Sequence, residues 1–332
     1  MHPATRFLFA LPALLLVVLG VWLFARGPQA PSGPLLPTVE SGAFPRVVEL
    51  PEGGSLRIEA PPQRVVLANS SAVDMASLLL PPARVAAIPE QAFLFSRLAE
   101  DPAGTDGFRG VATFDRFDAE TVLSFAPDLV VCDPWAASDT VARLRELDVT
   151  VLTLPKVVAL ADVLESIRVL GLVLGADGAA EAALADLDGR IARLRASASA
   201  RGRLRAVTYT TSGAGGWTAG AGTTNHELIT LAGLENAAAA AGRVDHVRTS
   251  FEELYALDPD FVLVGDYRSG MEEGATKSFL QQAPQLAELR AVREGRILTV
   301  PARLFSASSQ EIVAGAEELA AAVDLWLEED GS

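Results

Sequence analysis

The stretch GADGAAEAALADLDGRIARLRASASA, from Gly175 to Ala200, separates two similar halves of the chain. Its larger apolar residues, such as Leu187, Ile191 and Leu194, recur at the spacing of a helix with one buried face. Asp177 is placed to cap the start of this helix, and arginines near its end suit the helix dipole. Taken alone, the helix is typical of an ordinary domain surface. The flanking sequences instead favour a brace between two lobes.

The two halves share a pattern of helix, proline turn and strand. In the first half the pattern reads FDAETVLSFAPDLVVCD (Phe117 to Asp133), and in the second it reads TSFEELYALDPDFVLVGD (Thr249 to Asp266). Short apolar strands that alternate with helices predict a parallel sheet covered on both faces. We therefore expect a duplicated α/β fold, with one sheet in each half.

The predicted fold class is α/β: two Rossmann-like lobes with mainly parallel sheets, joined by a single long α-helix and preceded by an N-terminal apolar helix. We divide the chain into a signal anchor or signal peptide (1–26), a Pro-rich tether (27–45), an N-terminal lobe (46–156), a helical linker (157–200) and a C-terminal lobe (201–332). Open parallel sheets bind ligands beyond the carboxyl ends of their strands. We expect the loops there to face a cleft shared by both lobes.

The N-terminal segment carries a targeting signal. Arg6 and Arg26 flank an uncharged run, Phe7 to Ala25, whose length is close to the ~20 residues that span a bilayer. No cysteine follows for lipid attachment, and no small residue stands three positions before a cut after Ala25 or Ala30. We favour an uncleaved membrane anchor over a cleaved signal peptide. Either reading places the body at the periplasmic or extracytoplasmic face of the cytoplasmic membrane.

Composition excludes some classes of partner. The formal net charge of −15 argues against a nucleic-acid ligand, because phosphate binding requires a basic surface. Cys132 is the only cysteine, so neither an internal disulfide nor a multi-cysteine metal site can form. We expect a monomer without a resident metal or cofactor.

The motifs, in their order and duplicated spacing, closely resemble one family. They include RVVLANSSAVDMASLLL (Arg64 to Leu80), GLEN (Gly233 to Asn236) and AVREGRILTVP (Ala291 to Pro301). This order resembles the helical-backbone substrate-binding proteins of ABC importers for iron siderophores, haem and vitamin B12, from about Arg46 onward. The resemblance implies capture of a metal chelate outside the cytoplasm and its delivery to a permease. We expect an iron chelate, with a corrinoid as the alternative.

The same resemblance implies a docking role for two glutamates. Family members place one glutamate on each lobe against arginines of the permease, and the matching positions are Glu120 and Glu252. Each stands seven residues before the proline of the repeated pattern. The alternative is that each only favours its helix N-terminus, with Glu252 closing a capping box with Thr249. Glu253 competes with Glu252 for the docking role.

Candidate ligand-binding residues come from the loops at strand ends. They are Asn69, Ser70, Ser71, Phe114 and Trp135 in the first lobe, and Trp217, His246, Tyr267, Arg268 and Arg303 in the second. Aromatic faces suit a macrocycle or catecholate, and arginines suit an anionic complex. The resemblance to the vitamin B12 binders of the family implies that Phe114, Trp217 and His246 occupy positions where those proteins have bulky aromatic side chains against the ligand. For each aromatic the alternative is a place in the lobe core.

Iron ligation, catalysis and a role outside transport are the alternatives to simple chelate binding. His246 and Tyr267 together have the side chains to ligate a haem iron, although a lone histidine is usually structural. The Gly-rich run Ser212 to Gly222 is interpreted as a mobile ligand-facing loop. GxSxG, HExxH and GxxxxGK[ST] motifs are absent from the sequence, so we predict no catalytic residues. An anchored sensor or scaffold that serves no permease is the second functional class left open.

Overall fold

The computed structural model describes residues 38–39, 42–49, 54–100, 107–201, 204–212, 215–266 and 275–330. The predicted anchor, most of the predicted tether, and the candidates Tyr267 and Arg268 lie outside these residues. Within them, no helix combines the length and the apolar character needed to cross a membrane.

The described part of the chain alternates strands and helices. The strands are β1 (Thr38–Val39), β2 (Arg46–Glu49), β3 (Ser55–Ile58), β4 (Val65–Leu67), β5 (Val85–Pro89), β6 (Ala112–Phe114), β7 (Leu129–Cys132), β8 (Val151–Thr153), β9 (Arg205–Thr208), β10 (Thr210–Ser212), β11 (Gly215–Ala219), β12 (Glu235–Asn236), β13 (His246–Thr249), β14 (Phe261–Asp266) and β15 (Ile297–Pro301). The helices are α1 (Ser70–Ser77), α2 (Ala92–Phe95), α3 (Ala119–Ser124), α4 (Ser138–Glu146), α5 (Leu160–Leu174), α6 (Asp177–Ala198), α7 (Thr224–Leu231), α8 (Ala237–Ala240), α9 (Phe251–Leu257), α10 (Ala275–Gln282), α11 (Arg290–Arg293), α12 (Ala302–Phe305) and α13 (Glu311–Asp330). Short 3-10 turns connect several of them.

Each half builds its own parallel sheet, as predicted. The first sheet has the order β6-β5-β4-β7-β8, and the second has the order β12-β9-β14-β15. Strand β4 is buried on both faces, which explains why its sequence is continuously apolar. The hairpin predicted after Arg46 is present as β2 and β3, and β1 within the predicted tether pairs with β2.

A second, antiparallel sheet in the C-terminal lobe was not predicted. Strands β10, β11 and β13 form it, so the Gly-rich run that we interpreted as a mobile loop contains the whole of strand β11. The strand was not recognised because glycine at position 216 interrupts the strand pattern. Glycine is needed there, since a Cβ would lie 2.5 Å from the Tyr209 ring and from the Thr210 carbonyl oxygen. Close packing, and not mobility, explains that glycine.

Two helices form the connection between the lobes. Helix α5 packs on α1 of the first lobe, and α6 packs against α5 and against α7 and α13 of the second lobe. Gly175 separates them in the left-handed conformation, with φ +64°. Helix α6 is the predicted brace; its 22 residues run about 33 Å. The prediction that Asp177 caps this helix is wrong. Ala176 is the N-cap residue, and the Asp177 carboxylate instead forms an ion pair with Arg46 at 3.1 Å.

Candidate functional site

Two adjoining cavities lie at the carboxyl ends of the parallel strands. The first, of about 290 Å³, lies between the lobes, and the second, of about 550 Å³, is lined by residues of the C-terminal lobe. Thr224, His246 and Ser308 line both, so the two cavities are adjacent. Their sizes are typical of sites for small-molecule ligands.

The first-lobe wall comes from loops that follow β4, β7 and β8. Asn69 and Ser71 follow β4, Asp133 and Trp135 follow β7, and Lys156 follows β8; all line the first cavity. Asn69 caps α1, since its Oδ1 accepts a hydrogen bond from the Ala72 N–H at 2.8 Å. Its buried Nδ2 has no hydrogen-bond partner in the protein.

Trp135 projects from this wall and is 74% exposed. The Lys156 ammonium lies 5.7 Å from the centroid of its ring, within the range of a cation–π contact. Asp133 accepts the Trp135 backbone N–H at 3.0 Å. Partial burial raises the pKa of the Asp133 carboxyl above its ordinary value. The first lobe thus offers an aromatic face, a cation and a desolvated acceptor together.

The second-lobe wall has an equivalent aromatic and cation pair. Trp217 on β11 lies opposite Arg248 on β13, and the guanidinium is 5.6 Å from the centroid of the indole ring. Trp217 is 40% exposed and lines the second cavity. His246 begins β13 and contacts both cavities. Each lobe therefore presents one tryptophan, with a cation against its ring, to the cleft.

Three candidates lie away from the residues that line these cavities. Ser70 opens α1 without lining either one. Phe114 ends β6 inside the first-lobe core, 6.5 Å from the Phe117 ring and 6.2 Å from the Phe125 ring. Phe114 therefore occupies the lobe core, which was the alternative to a ligand contact.

Arg303, the third, is buried in an ion-pair cluster between the lobes. Its guanidinium contacts Glu311 at 2.8 Å, Glu318 at 3.2 Å, and Glu100 of the first lobe. Nearby, the Ser309 hydroxyl of the second lobe bonds the buried Asp74 carboxyl of α1 at 2.7 Å. We call these groups the interlobe cluster.

The docking candidates occupy equivalent helix positions. Glu120 is the second residue of α3 and Glu252 is the second residue of α9, and both are exposed. Hydrogen bonds from its own backbone N–H and from the Ser250 hydroxyl lower the pKa of Glu252, so its carboxylate is ionised at neutral pH.

The capping box between Thr249 and Glu252, which was the alternative to the docking role, does not form. Ser250 is the N-cap and Glu253 closes the box, because the cap lies one residue later than the sequence suggested. Glu253 also pairs with Arg243 at 3.0 Å. Glu253 thus pairs with an arginine outside its own helix, whereas the hydrogen bonds of Glu252 stay within the N-terminal turn of α9.

Sequence reasoning missed several lining residues. Asp133 and Lys156 directly follow strands, so the rule that selected Asn69 would have found them if it had been applied to every strand. Thr208 ends the predicted strand β9 of the parallel sheet, so the same rule would have found it, whereas Thr218 lies on β11, which the sequence pattern did not reveal. No group of three or more metal-ligating side chains occurs among the residues that the structure describes.

Known proteins resemble this chain in sequence. Residues 98–304 match the family model described as "Periplasmic binding protein". Over 212 residues the chain is 24% identical to YvrC of Bacillus subtilis, an uncharacterized ABC transporter substrate-binding lipoprotein, covering 62% of this chain and 65% of YvrC. Over 149 residues it is 30% identical to a cobalamin-binding protein of Halobacterium salinarum, covering 45% of this chain and 40% of that protein. The matches span less than two thirds of each relative.

A solved structure shares the fold. The periplasmic haem-binding protein RhuT from Roseiflexus sp. RS-1, in its apo form, superposes with a TM-score of 0.65 at 25% identity. The superposition covers 79% of this chain and 97% of RhuT. The arrangement of two lobes around a cleft is therefore common to both.

Proposed function

This chain belongs to the periplasmic binding protein family, and we propose that it captures an iron chelate, a siderophore or haem, in the cleft and delivers it to an ABC permease. Capture takes place at the extracytoplasmic face of the cytoplasmic membrane. The observation that carries the proposal is the pair of exposed tryptophans, one on each lobe, each with a cation against its ring. Flat aromatic faces match a chelate's ring system, and the adjacent cations match its acidic groups.

The relatives support this assignment from two sides. YvrC is named as a substrate-binding protein of an ABC transporter, which supports delivery to a permease. RhuT is named as a haem binder, which supports a metal chelate as the guest. Contacts of Tyr267, Arg268, Ser70, Phe114 and Arg303 with the chelate, and iron ligation by His246 or Tyr267, stay predictions.

A corrinoid is the second candidate ligand. The cobalamin-binding protein of Halobacterium salinarum, which is 30% identical over the matched region, favours it. Calorimetric titration of the purified full-length chain with haemin, ferrichrome and cyanocobalamin separates the candidates. We expect saturable binding of haemin or ferrichrome; binding of cyanocobalamin alone would establish the alternative, and heat from none of the three would refute chelate capture.

Delivery is assigned to Glu120 and Glu252, whose exposed carboxylates steer and register a permease with complementary arginines. The double substitution Glu120→Ala with Glu252→Ala is expected to abolish most uptake in cells while chelate affinity in vitro stays unchanged. Glu146→Ala, at another exposed helical glutamate, serves as the control. Unimpaired uptake by the double variant would instead favour an anchored sensor or scaffold.

A further inference from the structure

The interlobe cluster is connected to the cleft through helix α1 and the segment that precedes α13. Met75 of α1 lines the first cavity, and Ser308 lines both cavities. Their neighbours in sequence bond across the lobes: the Ser309 hydroxyl donates to the Asp74 carboxyl at 2.7 Å, and the Gln310 amide donates to the Asp74 backbone carbonyl at 2.9 Å. The positions of the cavity walls therefore depend on this contact between the lobes.

Negative charge accumulates on both sides of the contact. Asp74 of the first lobe and Glu311 of the second lobe are both buried. The Arg303 guanidinium, which pairs with Glu311, is shared with two further carboxylates. Arg97 donates its backbone N–H to Asp74 at 2.7 Å, but its charge has the smallest influence on that carboxyl. An ionised Asp74 would thus oppose the Glu311 charge in a buried place.

The other elements that pack on α1 are α2, α5 and β4. Helix α2 and strand β4 contain no charged residue. The charged residues of α5 are engaged elsewhere: Asp162 accepts backbone N–H groups at the start of its own helix, and Arg168 pairs with Glu165 at 3.2 Å. Among the described residues, Glu311 and Arg97 are therefore the charged groups that act on Asp74.

A proton on Asp74 removes the conflict with Glu311. Burial and the Glu311 charge raise the pKa of Asp74 to about 8. If the lobes separate, water reaches the carboxyl and its pKa falls towards the ordinary value, so the contact binds the proton more tightly than the separated lobes do. The contact is consequently favoured at low pH, and this contribution is lost as the pH rises to about 8.

We propose that the Asp74–Ser309 contact is a pH-sensitive switch for the cleft: with Asp74 protonated the lobes keep the chelate-binding arrangement, and ionisation of Asp74 loosens them and weakens binding. The proposal rests on the proposed function and adds regulation to it. Asp74 is a positioning residue, since it lines neither cavity and acts through Met75 and Ser308. A chelate is held more tightly in acidic surroundings than in alkaline ones.

Asp74→Asn tests the switch because the amide stays neutral at every pH. The full-length chain and this variant are titrated calorimetrically with haemin, ferrichrome and cyanocobalamin at pH 6, 7, 8 and 9. Comparison of the two proteins at one pH cancels any titration of the chelate itself. For each chelate that binds, we expect the ratio of the wild-type Kd to the variant Kd to rise about tenfold between pH 6 and pH 9, and to change little above pH 8.

Two further variants accompany this test. Ser309→Ala removes the interlobe hydroxyl without a change of charge, so its Kd should exceed the wild-type value at pH 6 by about fivefold, the effect of one hydrogen bond. Asp260→Asn is the matched control. Asp260 is buried within the C-terminal lobe, pairs with Arg290 at 2.6 Å and lines neither cavity. This variant should lose stability, and its Kd should follow that of the wild type at every pH.

The outcomes separate the switch from the proposed function. A ratio of wild-type Kd to Asp74→Asn Kd that stays constant from pH 6 to pH 9 overturns the switch and leaves chelate capture intact. An equal change of the ratio in Asp260→Asn does the same. Ser309→Ala decides the matter if Asp74→Asn fails to fold: wild-type affinity in that variant at pH 6 overturns the switch. Binding of none of the three probes by the wild type overturns both proposals.

Discussion

The cleft and the interlobe cluster both lie where the lobes meet, but the side chains of the cluster are paired with each other and those of the cleft are exposed. In the interlobe cluster, the Arg303 guanidinium is held by carboxylates from both lobes. In the cleft, Trp135 and Trp217 are exposed, and each has a cation against its ring. Side chains that pair within the protein hold the lobes together, whereas the exposed aromatic faces are left for a ligand.

Removal of Arg303 should have the largest effect. Arg303→Ala leaves Glu311 buried without its counter-ion, and breaking a buried pair in this way costs about 3–5 kcal/mol. Urea denaturation of the full-length chain measures the loss. Arg57→Ala, which breaks an exposed pair with Glu59, should cost little. A fall in chelate affinity without a loss of stability would show that Arg303 belongs to the binding site instead.

Asp74 should make stability depend on pH. Burial, with a contribution from Glu311, raises the pKa of its carboxyl from 3.8 to about 8. Between these values the folded state holds a proton that the unfolded state releases, so this group's contribution to stability is full below pH 4 and is lost as pH rises to about 8. Asp74→Asn retains neutral hydrogen bonding with Ser309 and the Arg97 N–H. It should therefore be more stable than the wild type at pH 9.

Urea unfolding at pH 5, 7 and 9 checks this expectation. The two proteins should differ least at pH 5 and most at pH 9. Parallel stability curves over the whole range would mean that Asp74 keeps an ordinary pKa in the folded state.

The tryptophans of the cleft should affect affinity more than stability. Trp135→Ala and Trp217→Ala should each weaken chelate binding about tenfold, since an aromatic contact contributes about 1 kcal/mol beyond area burial. Their free energies of unfolding should change little because both rings are exposed. Trp326→Ala is the contrasting control: its ring stacks edge-on with the buried Phe261 ring at 5.4 Å. That variant should lose stability and keep its affinity.

The adjacent glutamates of α9 should give the smallest and most selective effect. Glu253→Ala removes the capping-box partner of Ser250 and the ion pair with Arg243, so a small loss of thermal stability is expected. Glu252→Ala removes only local hydrogen bonds at the helix N-terminus, so it should lower the melting temperature less than Glu253→Ala does, and it should impair uptake. The reverse pattern would exchange the two assignments.

Much of the fold was predictable because local periodicity and turn residues determine it. The repeated helix, proline turn and strand appear as α3 with β7 and as α9 with β14. Asn69 and Trp135 were identifiable because ligand-facing loops follow parallel strands. These signals are contained within short segments of sequence.

The remainder depends on contacts between distant residues. Arg303 and Glu100 are 203 residues apart, and only the packing of the lobes brings them together. Phe114 was assigned to the cleft by resemblance to vitamin B12 binders, with the lobe core as the alternative; with the edge strand β6 formed, its ring packs into the core. Strand β11 was hidden because Gly215 and Gly216 interrupt its pattern, and the need for glycine at Gly216 comes from its close approach to Tyr209 and Thr210.

Quenching of tryptophan fluorescence tests the central claim most directly: that one chelate is held between the lobes against both exposed indoles. The full-length chain, Trp135→Phe and Trp217→Phe are titrated with haemin, ferrichrome and cyanocobalamin. We expect saturable quenching by at least one chelate, with part of the amplitude lost in each variant. Quenching of undiminished amplitude in both variants, or no quenching by any chelate, would contradict it.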